Sequence, residues 1–235
     1  MLERAREAGI ERILVPGWDL ASSEAALRLA ESHPDLVQAA VGIHPHDAAA
    51  VDEAGWAHLE ELAAEPAARA VGEIGLDHYR LHSPPDVQRV ALERQLDLAG
   101  RLGLPVLVHD REAHADVEHA LIAWNGRQGA AARGVLHAFS GDAAMADRLA
   151  SAGFLISFAL PVAFRSAAGP REAAGSLEPG RFVVETDAPY LGPDREGRNE
   201  PTTVLRVVHE LARLRGTTPE QLVGPIREAY DTLLA

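Results

Sequence analysis

Along the chain, short runs of β-branched and apolar residues alternate with longer stretches in which apolar positions recur at helical spacing. The first kind reads as strands buried on both faces, the second as amphipathic helices that bury one side. Strand candidates are RILVPG from Arg12, LVQAAVGIHPH from Leu36, ARAVGEIGL from Ala68, LPVLVHD from Leu104, GVLHAFSG from Gly134, FLISFALP from Phe154 and RFVVETDAPY from Arg181. Helical patterns separate them. SSEAALRLAESH opens on a serine expected to cap it, with Glu24 in the first turn. PPDVQRVALERQLDLAGRLG begins with prolines and ends in glycine, the usual asymmetry of helix ends. GDAAMADRLASAG has Asp142 as its expected cap, and PTTVLRVVHELARLRG and TPEQLVGPIREAYDTLL close the chain.

Seven strand-and-helix units predict an α/β fold, a (β/α)8 TIM barrel with the first β-strand missing, because the chain opens on the helix-like MLERAREAGI. A doubly wound open sheet is the competing architecture. The barrel is favoured because polar residues stand at the C-terminal ends of many strands and not at one switch point. No linker, tandem repeat or low-complexity block interrupts the pattern, so residues 1–235 read as a single domain.

Composition narrows the class. A chain of 235 residues, 47% hydrophobic, is long enough to bury a large core. No apolar run approaches the roughly 20 residues that span a bilayer, and the start does not resemble a signal peptide, so a cytoplasmic protein without membrane partners is expected. The absence of cysteine excludes disulfides and thiolate metal ligands. The formal charge of −13 argues against a broad basic surface for nucleic acid, though not against a small site where a cation and a few arginines hold phosphate.

Candidate chemistry sits where the strands end. The second candidate strand finishes in His44 and His46, the third in Glu73 with Asp77 beyond, and the fourth in His109 followed by Asp110 and Arg111. The fifth carries His137, and the last ends in Glu185 and Asp187. In a parallel barrel such ends converge on one face. Imidazole and carboxylate together describe a divalent-metal site with mixed nitrogen and oxygen donors. A lone histidine at a strand end is more often a hydrogen-bonded structural group than a ligand; the repetition at the same end of four strands favours the metal. His33, His58, His119 and His209 fall on helices, His78 and His82 on a loop expected to face solvent, and His114 just past a strand end.

The motifs GIHPH, GEIGLDHY, PVLVHDREA, GVLHAFSG, ETDAPYL and RNEP resemble, in order and spacing, the TatD family of metal-dependent deoxyribonucleases, which are amidohydrolase-like TIM barrels. The resemblance spans essentially the whole chain. It implies hydrolysis of phosphodiester bonds in DNA by metal-activated water, with two divalent ions of zinc, manganese or magnesium. Glu73 then resembles the carboxylate that bridges the ions, and His109 and His137 resemble imidazole ligands of one of them. Asp187 resembles the acid that binds the other ion and handles the proton of the attacking water. His44 and His46 resemble substrate-facing histidines. Asp77, Tyr79, Arg111 and Asn199 would line the cleft, and Glu185 would stand behind the ligands.

One departure accompanies the resemblance. The family opens with a strand carrying His-x-His, and this chain begins just after that position, leaving the ion held by Asp187 short of two imidazoles. A late recorded start, a truncated chain or pseudo-enzyme, and a strand recruited from another chain each account for it. The late start is the expectation, because Met1 falls inside the first helical segment. Two other functions stay open: hydrolysis of another ester or amide on the same barrel, and a catalytically weak binding or scaffold barrel that has lost one metal. A carboxylated lysine bridging metals is excluded, since the chain has no lysine.

Overall fold

The computed structural model describes residues 1–128, 133–192 and 198–235. The chain forms two compact units, residues 11–135 with Leu234, and residues 1–10 with 136–233 and Ala235. The first contains β1 (Ile13–Pro16), α2 (Leu20–Ser32), β2 (Val37–Val41), α3 (Glu53–Ala63), β3 (Ala68–Asp77), α4 (Pro85–Leu102), β4 (Val106–Arg111) and α5 (His114–Gln128). The second contains α1 (Leu2–Glu7), α6 (Ala143–Ser151), β6 (Phe154–Phe158), α7 (Ala168–Ser176), β7 (Phe182–Val184), α8 (Val204–Arg215) and α9 (Pro219–Leu233). The division falls inside β5 (Gly134–Leu136). Among the described residues, all seven strands expected from the pattern are present.

In the first unit β1, β2, β3 and β4 are neighbours in that order, and each pair is parallel. Ile13 stands opposite Val37, and Gly75 opposite His109. The β3–β4 register shifts between Val71 and Ile74, on the Gly72–Glu73 step. Such bulges re-aim a side chain out of the ladder. β1 is half-buried at every position, as an edge strand is, whereas β2 and β3 bury Ala39, Val41, Val71 and Ile74. In the second unit β6 and β7 pair in parallel, with Ile156 opposite Phe182, and a ring cluster of Phe139, Phe158 and Phe182 fills the space beside them.

Most helix ends follow the sequence. Asp142 caps α6 by accepting the Met145 N–H at 2.8 Å, and Gly103 and Gly216 close α4 and α8 with φ of 67° and 63°. The cap of α2 differs. Asp19, not a serine, precedes the helix, and Ser22 is the reciprocal partner in a capping box. The aspartate wins because it lies on the extended residue just after the β1 turn. Helices α3 and α5 carry His58 and His119, as expected of those histidines, while α7 was not anticipated. The first two bury Trp56, Leu59 and Leu62, and Val117, Leu121 and Trp124, at helical spacing. The third, AGPREAAGS, buries only Ala173 and Ala174 and therefore carries almost no apolar contrast. Among the described residues no helix is long and apolar enough to cross a membrane.

Candidate metal centre

In residues 11–135 β2 stops earlier than its apolar run suggests, whereas β3 and β4 run to Asp77 and Arg111. β2 ends at Val41, so Gly42, Ile43 and His44 form a loop over the sheet end. Glycine is required there and beside Glu73 for lack of space. A Cβ on Gly42 would lie 2.7 Å from the Gly72 carbonyl carbon, and one on Gly72 would lie 2.5 Å from Leu107 Cβ. Gly75, with φ of 144°, passes under His109, whose carbonyl oxygen a Cβ would meet at 2.0 Å. The close approach carries Glu73 and His109 side by side. The Glu73 N–H donates to the Gly17 carbonyl at 2.8 Å, and the His44 N–H to the Trp18 carbonyl at 2.8 Å, which ties all three strand ends together.

Two glutamines on the buried face of α4 hold this backbone from behind. Gln95 accepts the Ile43 N–H at 2.8 Å and donates to the Ile43 carbonyl at 3.0 Å. Gln88 accepts the Asp77 N–H at 2.8 Å and donates to its carbonyl at 3.0 Å. Both are fully enclosed among Ala91, Leu92 and Leu96. The sequence reading passed over them, although an amide repeating after seven residues within an apolar stripe is a usable signal.

The side chains then converge. His44, Glu73 and His109 offer donor atoms that all lie within 4.8 Å of one another, a group able to hold a metal ion. His109 lies between two carboxylates, with Nδ1 3.0 Å from Glu73 Oε1 and Nε2 3.5 Å from Asp77 Oδ2. Asp77 accepts the N–H groups of Tyr79 and Arg80 on Oδ1 at 2.9 and 2.8 Å, and its Oδ2 lies 2.7 Å from His46 Nε2. Burial pushes its pKa up, but the Arg80 N–H, His46 and the Tyr79 N–H outweigh burial and bring it to about 2. The His46 proton therefore sits on Nε2, facing an ionised acid. His44 is buried, and that burial lowers its pKa to about 3 despite Glu73 beside it. Its Nδ1 accepts the backbone N–H of His46 at 3.2 Å, so its proton is on Nε2, 3.6 Å from Glu73 Oε1. Hard oxygen and borderline nitrogen donors of this kind suit a divalent cation, and the partners behind His109 are what an imidazole ligand needs to be held in place.

Other expected residues are placed differently. Tyr79 and Arg111 are exposed, with the guanidinium carbon 4.3 Å above the ring centre. His82 is exposed as expected, yet its ring meets that of His46 edge-on at 4.7 Å. His114 begins α5 and pairs with Asp110 at 2.7 Å. In residues 136–233 a second group forms. His137 Nδ1 is 2.9 Å from Glu185 Oε2, and its Nε2 is 3.5 Å from Asp187 Oδ1. Glu185 also accepts the Ala138 N–H. Asp187 has φ of 57°, a left-handed conformation that aspartate tolerates better than most residues. Asn199, expected to face substrate, is completely buried. Its amide donates to the carbonyls of Thr186 and Tyr190 and its oxygen accepts the Glu200 N–H, which folds the Asp187 loop around it.

Comparison with known proteins agrees with this arrangement. The family model for TatD-related DNases matches residues 1–235. The chain belongs to that family. It is 41% identical over 229 residues to the metal-dependent hydrolase TatD of Mycobacterium tuberculosis, covering 94% of this chain and 85% of that one. It is 39% identical over 222 residues to the 3'-5' ssDNA/RNA exonuclease TatD of Edwardsiella piscicida, covering 92% and 84%. The crystal structure of YJJV, a TatD homolog from Escherichia coli K12, superposes with a TM-score of 0.90 at 28% identity over 99% of this chain and 90% of that one. Like its TatD relatives, the chain has the parallel α/β fold of the (β/α)8 barrel class, with seven strands among its described residues, and is a metal-dependent hydrolase.

Proposed function

We propose that the chain hydrolyses phosphodiester bonds of nucleic acid, DNA first among them, as a single metal-dependent hydrolase domain in the cytoplasm. The carrying observation is the pairing of Glu73 with His109, with His44 beside them, in a TatD-family chain. Nuclease names among similar proteins support the substrate class. Glu73 and His109 would hold a divalent ion, and His137 and Asp187 would supply donors for a second; zinc, manganese and magnesium all accept such donors. A bound divalent ion polarises the phosphoryl oxygen and acidifies water.

The side chains do the rest. Asp187 accepts a proton from the attacking water on its carboxylate, the water oxygen bonds to phosphorus, and the phosphorus–ester oxygen bond breaks. The departing oxygen takes a proton from solvent. Glu185 holds the Nδ1 proton of His137 and so leaves Nε2 unprotonated on the Asp187 side. His44 serves as a donor and not a ligand. With Nδ1 occupied by the His46 N–H, its Nε2–H, 3.6 Å from Glu73 Oε1, can donate to a phosphoryl oxygen and stabilise charge there.

The test is turnover and metal content of purified protein on single-stranded DNA, single-stranded RNA, a phosphotriester and an amide. Cleavage of nucleic acid is expected. Glu73→Ala and Asp187→Ala should each lower turnover on the order of 1000-fold with the circular dichroism spectrum intact. His109→Ala should lose metal, whereas His44→Ala should keep it and lose turnover. Cleavage of the triester or amide alone would move the activity to another ester class. Absence of both metal and turnover would make the chain a scaffold.

A further inference from the structure

The exposed aromatic residues share a position along the chain. Among the described residues, Trp18, Tyr79, Phe164 and Tyr190 are the large aromatic side chains that stand exposed. Each lies within a few residues of a strand's C-terminal end, after β1, β3, β6 and β7 respectively. Exposed rings that follow the strand ends, where the donor residues also stand, are placed to meet a substrate.

The pair in residues 11–135 is also tied to the metal group. The Trp18 carbonyl accepts the His44 N–H at 2.8 Å, and the Trp18 N–H donates to Ser22 Oγ at 2.9 Å, within the capping box of α2. The Tyr79 N–H donates to Asp77 Oδ1 at 2.9 Å, on the carboxylate that also holds His46. The Arg111 guanidinium carbon lies 4.3 Å from the Tyr79 ring centre, and the Arg111 carbonyl accepts the His78 N–H at 2.9 Å. Both rings therefore stand on backbone fixed by the residues that surround Glu73 and His109. They are exposed by 54% and 57%.

We infer that Trp18 and Tyr79 are stacking platforms for the unpaired bases of a single-stranded substrate, with Arg111 bracing the tyrosine ring from one side. This rests on the nucleic-acid reading above and adds how the strand is held. A chain of charge −13 has little cationic surface with which to grip a phosphate backbone. Base–ring stacking supplies binding without it, and does so for any base, because every base has a π-face. A duplex keeps its bases stacked inside and cannot engage the rings. The inferred preference is for unpaired ends, without regard to base identity.

The experiment compares an eight-nucleotide oligothymidylate with an abasic oligonucleotide of the same length. Binding is read in the metal-loaded, non-hydrolysing Asp187→Ala background, and KM in the active enzyme. Trp56 and Trp124 are 8% and 1% exposed, so quenching of tryptophan emission by the oligothymidylate reports on Trp18. Trp18→Ala and Tyr79→Ala should each weaken oligothymidylate binding by roughly 5- to 100-fold. They should leave binding of the abasic oligonucleotide unchanged, and Trp18→Phe and Tyr79→Phe should recover most of the loss. Unchanged oligothymidylate binding in the alanine variants overturns the inference, and so does equal weakening for the abasic oligonucleotide; both leave the nuclease reading standing. Failure of the active enzyme to cleave any nucleic acid removes both.

Discussion

The two acid–histidine groups are built in opposite ways. In residues 11–135, Glu73 and His109 stand on β3 and β4, strands of 10 and 6 residues, and the backbone around them is held by buried amides from a separate helix. In residues 136–233, the strands ahead of His137 and Glu185 have 3 residues each, and the Asp187 loop is held by its own Asn199. The backbone of the first group is held by a separate helix, whereas the Asp187 loop is held from within its own segment, although His137 and Glu185 meet across 48 positions. The difference teaches that equal-looking motifs can owe their geometry to different parts of the molecule, and so fail in different ways.

Gln95→Leu tests the first design and carries the largest expected effect. It strips the Ile43 N–H and carbonyl of their partner inside the core, which costs about 2 kcal/mol in denaturant unfolding. It should also lower metal affinity about 10- to 100-fold, as loss of supporting residues does. A metal titration that matches wild type would break the comparison. Asn199→Ala tests the second design. The Tyr190 carbonyl it releases belongs to an exposed residue, where water can replace the amide, so the cost should be about 1 kcal/mol. Metal binding by Glu73 and His109 should persist while kcat falls; loss of both together would mean that Asn199 supports more than its own loop.

The smallest effect is expected well away from either group. Glu210 lies 2.6 Å from Arg213 and 3.0 Å from Arg171. Its pKa is lowered, chiefly by the hydrogen bond from Arg213. A carboxyl depressed in the folded state stabilises above its unfolded pKa of about 4.3, and that stabilisation is lost as pH falls through the folded value. Glu210→Gln should therefore cost under about 1 kcal/mol at neutral pH, with the two melting curves converging in acid. A difference that stayed constant across pH would assign the effect to packing and not to charge.

Much of this molecule was legible in its sequence. The seven strands announced themselves because strands buried on both faces leave unbroken apolar runs, and the caps at Asp142, Gly103 and Gly216 because each supplies a conformation or acceptor that few residues can. Glu73, His109, His137 and Asp187 were visible as polar residues at the ends of such runs. α7 was not, since alanine and glycine give no contrast between its faces.

By itself, then, the sequence determined the alternation of strand and helix and the donor types at the strand ends. Only the tertiary structure decided which nitrogen of His44 carries the proton, that Asn199 faces inward, and that Gln88 and Gln95 hold the strand ends. Those outcomes depend on contacts between residues up to 52 positions apart, as Gln95 and Ile43 are. Side-chain periodicity describes which face of one element is buried, and contains no term for the partner that another element brings to it.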